Sequence, residues 1–235
     1  MAIPIRERLI VALDLPTAEE AKGLVEKLGE AVVFYKIGLE LFVGGGYFDL
    51  IDWLLEREKK VFADLKFYDI PATVGRAVRN LSRTGVHLAT IHGDRAIMEA
   101  AAEHKGDLKI LAVTVLTSLD DRAASELGYS GDLRTLVLER AVLAKEAGVD
   151  GVIASGREAA AIRRHVGEDL LIVTPGIRPV GSSAGDQKRI VTPDQAIRSG
   201  ADYLVVGRPI REAEDPKAAA LAIQREIASA MGKQS

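Results

Sequence analysis

The chain has 235 residues, 31 Lys and Arg against 34 Asp and Glu, a formal net charge of −3, 48 % hydrophobic residues and no cysteine. The length falls in the roughly 200–250 residues that an α/β barrel occupies as one unit, and the near-neutral charge, with no run of Lys and Arg, argues against a nucleic-acid partner. Zero Cys excludes disulfides, Cys-ligated zinc, iron–sulfur clusters and thiol catalysis; the lack of a readable signal peptide in MAIPIRERLIVALDLP, or of any run near about 18 apolar residues, predicts no membrane association and a cytoplasmic location.

The first apolar run, Leu9–Leu13, reads as a strand and leads into a helix over Thr17–Leu28. Thr17 with Glu20 three residues on has capping-box spacing, and Gly29 follows the helix end. Val32–Ile37 is the second strand, followed by a helix at Phe48–Glu56. The third strand, Lys60–Asp64, precedes a helix whose first turn suits Pro71. Strands at Leu88–His92, Ile110–Leu116, Gly151–Ala154, Leu170–Thr174 and Tyr203–Gly207 then alternate with helices at Ala96–His104, Leu133–Ala147, Glu158–His165, Pro193–Ser199 and Pro216–Met231. Gly148, Gly167 and Gly200 punctuate three helix ends.

Near-continuous apolarity suits strands buried on both faces of a parallel sheet. Eight strand–helix pairs without a composition break or linker predict an α/β chain folded as a single (β/α)8 TIM barrel, one domain over residues 1–235. An open doubly wound sheet is the alternative, but eight repeats fill the length and the reactive residues cluster at C-terminal strand ends, where a barrel carries its active site. The one long loop, Gly176–Ile190, follows the seventh strand and has the Gly, Ser and Pro content of a lid.

The densest polar cluster, Asp64-Leu-Lys66-Phe-Tyr-Asp69-Ile70-Pro71-Ala-Thr73, begins at the third strand end. Period-two alternation in an extended segment would turn Asp64 and Lys66 to one side, each favouring the other's charged form. A structural ion pair would look the same. However, Asp14 after the first strand and Lys36 in the second add to them, so that neighbouring strand ends would set alternating charges around one quadrant of the mouth. On the opposite side, Thr174-Pro175-Gly176-Ile177-Arg178 and Val206-Gly207-Arg208-Pro209 combine glycine, forked arginine donors and a following helix start, a plausible phosphate cradle.

Other chemistries lack their signatures. No P-loop is present, and Gly44-Gly45-Gly46 lacks the later glycine of a dinucleotide fingerprint. His87, His92, His104 and His165 show no metal spacing; His92, at a strand end, suits a structural role, and His104 and His165 fall near helix ends. No metal site is predicted.

The pattern Asp64-x-Lys66-x-x-Asp69-Ile70-Pro71-x-Thr73 closely resembles the signature of the orotidine 5′-monophosphate decarboxylase family, bacterial branch. Leu13-Asp14, Tyr35-Lys36-Ile37-Gly38, Thr117-Ser118, Pro175-Gly176-Ile177-Arg178, Gln187 and Gly207-Arg208-Pro209 extend the likeness over nearly the whole chain, with no departure at the signature positions. The resemblance implies a (β/α)8 barrel working as a homodimer without metal or organic cofactor. It implies Lys66 as proton donor, with Lys36, Asp64 and Asp69 completing the catalytic array, and Asp69, Ile70 and Thr73 reaching the neighbouring subunit's site. It further implies Asp14 at the ribose, Thr117 or Ser118 at the pyrimidine edge, Pro175 lining the site, and Gln187, Arg208 and the Gly207 backbone at the phosphate, with Arg178 nearby. The expected reaction is decarboxylation of orotidine 5′-monophosphate to UMP in pyrimidine biosynthesis.

Two other readings compete with it. Related sugar-phosphate barrel enzymes, such as hexulose-phosphate synthase, resemble the D-x-K-x-x-D pattern but need magnesium and carry an acidic residue where Lys36 stands. A non-catalytic nucleotide-binding barrel would not require a proton donor with all of its charged neighbours.

Overall fold

The computed structural model describes residues 3–129, 131–179 and 191–232. Runs of Val, Ile, Leu and Ala make strands β1 (Leu9–Ala12), then, after α1 (Ala18–Leu28), β2 (Phe34–Gly38). Helices α2 (Leu39–Gly44) and α3 (Tyr47–Leu55) lead to β3 (Lys60–Phe67), α4 (Pro71–Leu81), β4 (Leu88–Ile91), α5 (Arg95–His104) and β5 (Lys109–Val113). Next come α6 (Asp121–Glu126), α7 (Leu133–Glu146), β6 (Gly151–Ile153), α8 (Gly156–Val166), β7 (Leu171–Thr174), α9 (Pro193–Arg198), β8 (Tyr203–Val206), α10 (Arg208–Arg211) and α11 (Pro216–Gly232).

All strand pairs are parallel and consecutive, and β8 closes on β1 through Leu9 opposite Leu204 and Val11 opposite Val206. The fold is therefore the (β/α)8 barrel expected from the alternation, and the open-sheet alternative is excluded by that closure. Because side chains alternate along a strand, each apolar run serves two cores. Leu9 and Val11 face the helices, whereas Ile10 and Ala12 join Phe34, Phe62, Leu88, Leu111, Val113, Val173, Tyr203 and Val205 inside the barrel. Phe34 anchors the lower layer, edge-on to Tyr203 at 5.8 Å and His87 at 6.1 Å. Gly151 is required there: a Cβ would come within 2.6 Å of the Leu171 backbone oxygen.

Local signals set the helix ends. Thr17 caps α1 through its hydroxyl, which accepts from the Glu20 N–H at 3.2 Å; the Glu20 carboxylate takes the Thr17 hydroxyl, so the reciprocal arm expected of a capping box is replaced. A full box instead opens α9, from Thr192 and Gln195. Pro71 occupies the first turn of α4, and Gly167 ends α8 at φ 75°, a conformation that favours glycine. Three short helices, α2, α6 and α10, were not expected. With four to six residues each, they are too short for a 3.6-residue apolar stripe to stand out. Among the described residues no helix is long and apolar enough to cross a membrane.

Candidate active site

The inward alternation that fills the barrel also builds its mouth. One step above Ala12, Phe34, Phe62 and Leu88, the same faces of β1 to β4 present Asp14, Lys36, Asp64 and Thr90. Across the barrel, Val113, Ile153 and Val205 keep the wall apolar, and Pro175, Gly176, Arg178, Gly207, Arg208 and Arg211 complete it. Together with Asp14, Lys36 and Asp64 they line a cavity of about 720 Å³, within the usual range of small-molecule sites. One wall is thus a row of charges, the second apolar and the third arginine-rich, an arrangement that can receive a polar group on one side and an anionic group on the other.

The charged wall is continuous. Lys36 Nζ lies 2.7 Å from Asp14 Oδ1 and 3.4 Å from Asp64 Oδ2, and Lys66 Nζ lies 2.8 Å from Asp64 Oδ1. Burial pushes the Asp64 carboxyl up, but Lys36 and Lys66, with hydrogen bonds from Lys66 and Thr90, outweigh it and hold the group below the ordinary carboxylate range. Burial likewise pulls the Lys36 ammonium down, and Asp64 and Asp14 overcome that pull to raise it. Lys36 and Asp64 are thereby both kept ionised. The lattice of four charges predicted from strand ends is present as three consecutive ion pairs.

The route by which Lys66 reaches Asp64 differs from the extended alternation expected. The strand continues past Asp64 to Phe67, its register against β4 shifts between Ala63 and Phe67, and Lys66 adopts φ 49°. A non-glycine residue in the left-handed region is uncommon and costs energy, so the surroundings must hold it there. Such a bulge re-aims a side chain at a barrel rim.

On the arginine-rich wall, Arg178 is buried and donates to the Ile177 carbonyl at 2.9 Å. Burial, followed by repulsion from Arg208, lowers its pKa against the smaller pull of Glu212, and an anion received beside it would offset that repulsion. Among the described residues a Cβ built on Gly207 would meet Ala12 at 3.6 Å and Asp14 at 3.8 Å, and Gly207 itself lines the cavity. The base of the long loop is fixed by a parallel bridge between Ile177 and Val191 and by the Arg178 N–H on the Val191 carbonyl at 2.9 Å. Gln187, and the greater part of the expected lid, lie outside the described residues.

Thr117, buried, and Ser118, exposed, both line the cavity. Asp69, Ile70 and Thr73 do not. Asp69 is exposed, its carboxylate accepts the Ile70 N–H at 2.6 Å, and it forms no ion pair among the described residues. Ile70 is 65 % exposed, and Thr73 accepts from Arg76 at 3.3 Å. His92 packs edge-on to Tyr68 at 5.5 Å; burial, then Arg140 and Lys66, lowers its pKa. His104 and His165 turn Nδ1 onto the carbonyls four residues back, as residues near helix ends do.

Two residues that bear on the site escaped the sequence reading: Arg211, which lines the cavity, and Thr90, which is fully buried and hydrogen-bonded to Asp64. Thr90 sits within an apolar strand, where a lone polar residue at an inward position was the available signal. Arg211 lines the cavity from α10, a helix too short to be read from periodicity.

Residues 7–223 match the family described as Orotidine 5'-phosphate decarboxylase / HUMPS. A Methylococcus capsulatus protein named orotidine 5'-phosphate decarboxylase is 59 % identical over 226 residues, which cover 96 % of this chain and 93 % of that protein. A Rhodopseudomonas palustris protein of the same name is 53 % identical over 232 residues, 98 % of each chain. Among solved structures, orotidine 5'-phosphate decarboxylase from Lactobacillus acidophilus aligns with a TM-score of 0.83 at 38 % identity, covering 94 % of this chain and 99 % of that one. The enzyme of that name from Pyrococcus horikoshii aligns at 0.75 and 28 % identity, with the same coverage.

Proposed function

Since the chain belongs to the Orotidine 5'-phosphate decarboxylase / HUMPS family, we propose that it converts orotidine 5′-monophosphate to UMP and CO2, without metal or organic cofactor, as a cytoplasmic homodimer with shared sites. The observation that carries this reading is the Asp14–Lys36–Asp64–Lys66 row on one wall of a cavity whose far wall holds Arg178 and Arg208. It also favours decarboxylase over magnesium-dependent sugar-phosphate chemistry. The Lys36 ammonium stands between the Asp14 and Asp64 carboxylates, where it would repel a divalent ion.

The pyrimidine ring would lie against the charged row, with Thr117 or Ser118 at its edge, Asp14 at the ribose and Pro175 beside it. Breaking the bond between C6 and its carboxylate releases CO2 and leaves the electron pair in the ring plane, where the ring delocalises it poorly. Lys66 answers both needs: its fixed positive charge stabilises the developing carbanion, and one of its protons then moves to C6. The neutral amine regains a proton from solvent. Asp64, held ionised by its two lysines, opposes the substrate carboxylate, and that repulsion falls away as CO2 leaves. Lys36 fixes Asp64 and Asp14 in place. Phosphate contacts to Arg208, the Gly207 backbone and Gln187, with Arg178 nearby, supply binding energy far from the bond that breaks.

Dimerisation is supported by what is exposed at the same end of the barrel. Leu39, Phe42 and Val43 on α2, and Tyr68 and Ile70 after β3, are large apolar side chains open to solvent, Val43 at 83 %. A second copy covering them would bring Asp69, Ile70 and Thr73 toward the partner's cavity.

The assay that tests the activity mixes folded protein with orotidine 5′-monophosphate in excess EDTA and follows substrate absorbance together with UMP formation. Turnover unchanged by the chelator is expected. Intact substrate would reject the assignment, and turnover that needs added magnesium would reject the cofactor-free mechanism.

Arg208→Ala should weaken handling of the phosphorylated substrate far more than that of orotidine, which lacks the phosphate. A charge-assisted hydrogen bond is worth about 1.5–3 kcal/mol, so kcat/KM for the phosphorylated substrate should fall by roughly 10- to 150-fold. Equal losses on both substrates would place Arg208 away from the phosphate.

A further inference from the structure

The left-handed backbone at Lys66 and the orientation of the Asp64 carboxylate have a common support. Thr90, fully buried in β4, accepts the Lys66 backbone N–H on its hydroxyl oxygen at 3.0 Å and donates that hydroxyl to Asp64 Oδ1 at 2.9 Å. The same Asp64 oxygen receives Lys66 Nζ at 2.8 Å. One hydroxyl thus closes a ring that joins the main chain of Lys66 to the carboxylate holding its side chain. The regular β3–β4 ladder is interrupted between Ala63 and Phe67, so a side chain in the neighbouring strand takes the Lys66 N–H that a bulge would otherwise leave over.

We propose that Thr90 is a positioning residue for the decarboxylation: its hydroxyl holds the Lys66 backbone in the bulge and orients Asp64, so that the Lys66 ammonium is aimed at the reacting carbon before substrate arrives. The inference rests on the function proposed above. Thr90 touches no substrate in this account and acts through Asp64 and Lys66. A hydroxyl suits this position because its one oxygen both accepts and donates and so serves both partners. Valine would keep the shape and lose both bonds, whereas serine would keep both bonds and lose a methyl group.

The test compares Thr90→Val, Thr90→Ala and Thr90→Ser with wild type in steady-state turnover of orotidine 5′-monophosphate, alongside amide hydrogen exchange at Lys66. Both hydroxyl-free variants should lose roughly 10- to 100-fold in kcat with KM within about threefold, because small misplacements of a reacting group cost rates of up to about that order. Thr90→Ser should recover to within about threefold of wild-type kcat, since it restores both hydrogen bonds. Exchange at the Lys66 amide should quicken in Thr90→Val and Thr90→Ala and stay protected in Thr90→Ser. Two hydroxyl-free variants guard against misfolding of either. A folded hydroxyl-free variant within twofold of wild-type kcat would overturn the proposal, and so would a serine variant as slow as the valine one, which would assign the effect to packing. An inactive wild type would reject the decarboxylase reading instead, and the exchange data would then decide whether the Thr90 bridge holds the bulge.

Discussion

Lys66→Ala is expected to lower kcat by more than about a thousandfold, with the fold retained. Removing one preorganised electrostatic donor typically costs ~10²–10³ in rate, and loss of a general acid a further ~10²–10⁴. Both losses fall on one side chain here. The barrel should survive because the Lys66 side chain is 33 % exposed and the carboxylate it leaves behind keeps Lys36 at 3.4 Å and the Thr90 hydroxyl at 2.9 Å. Asp64 would therefore remain charged and satisfied. Its repulsion of the substrate carboxylate would lack the nearer of its two cations, so KM should rise as well. Single-turnover decay of substrate absorbance, with circular dichroism to verify folding, measures the effect. A variant within tenfold of wild type would mean that another group delivers the proton to C6.

Mixing two inactive variants should restore activity. Asp69 follows Phe67 and Tyr68 beyond the bulge and precedes Ile70-Pro71, where α4 starts and turns the chain away from the mouth. Its carboxylate is exposed and bonded to the Ile70 N–H, outside its own chain of ion pairs. If Asp69 completes the partner's array, then Lys66→Ala and Asp69→Ala chains, each inactive alone, form mixed dimers in which one site receives both intact residues and the other neither. Random exchange at equal concentrations makes about half the dimers mixed, so roughly a quarter of wild-type activity per total site should return. Exchange is verified with differently tagged chains. No recovery after verified exchange would show that Asp69 acts within its own subunit.

The amino-acid order determined the repeating unit. Apolar runs of strand length alternating with helical periodicity specify eight β/α units, and the period of two puts Phe34 with Lys36, and Phe62 with Asp64, on one face of each strand. Those patterns are local, and they persist whatever the neighbouring strands do. The signature from Asp64 to Thr73 was equally legible, being contiguous. Which groups touch depended on closure. That β8 meets β1, and that Lys36 falls between Asp14 and Asp64, are consequences of register between strands far apart in sequence. The third strand shows the limit most clearly. Its alternation predicts a straight extension that would align Lys66 with Asp64, yet the ladder to β4 breaks there and Lys66 turns left-handed, held by a threonine 24 residues away. A bulge arises from the hydrogen-bonding demands of two strands at once, and no single segment carries that information.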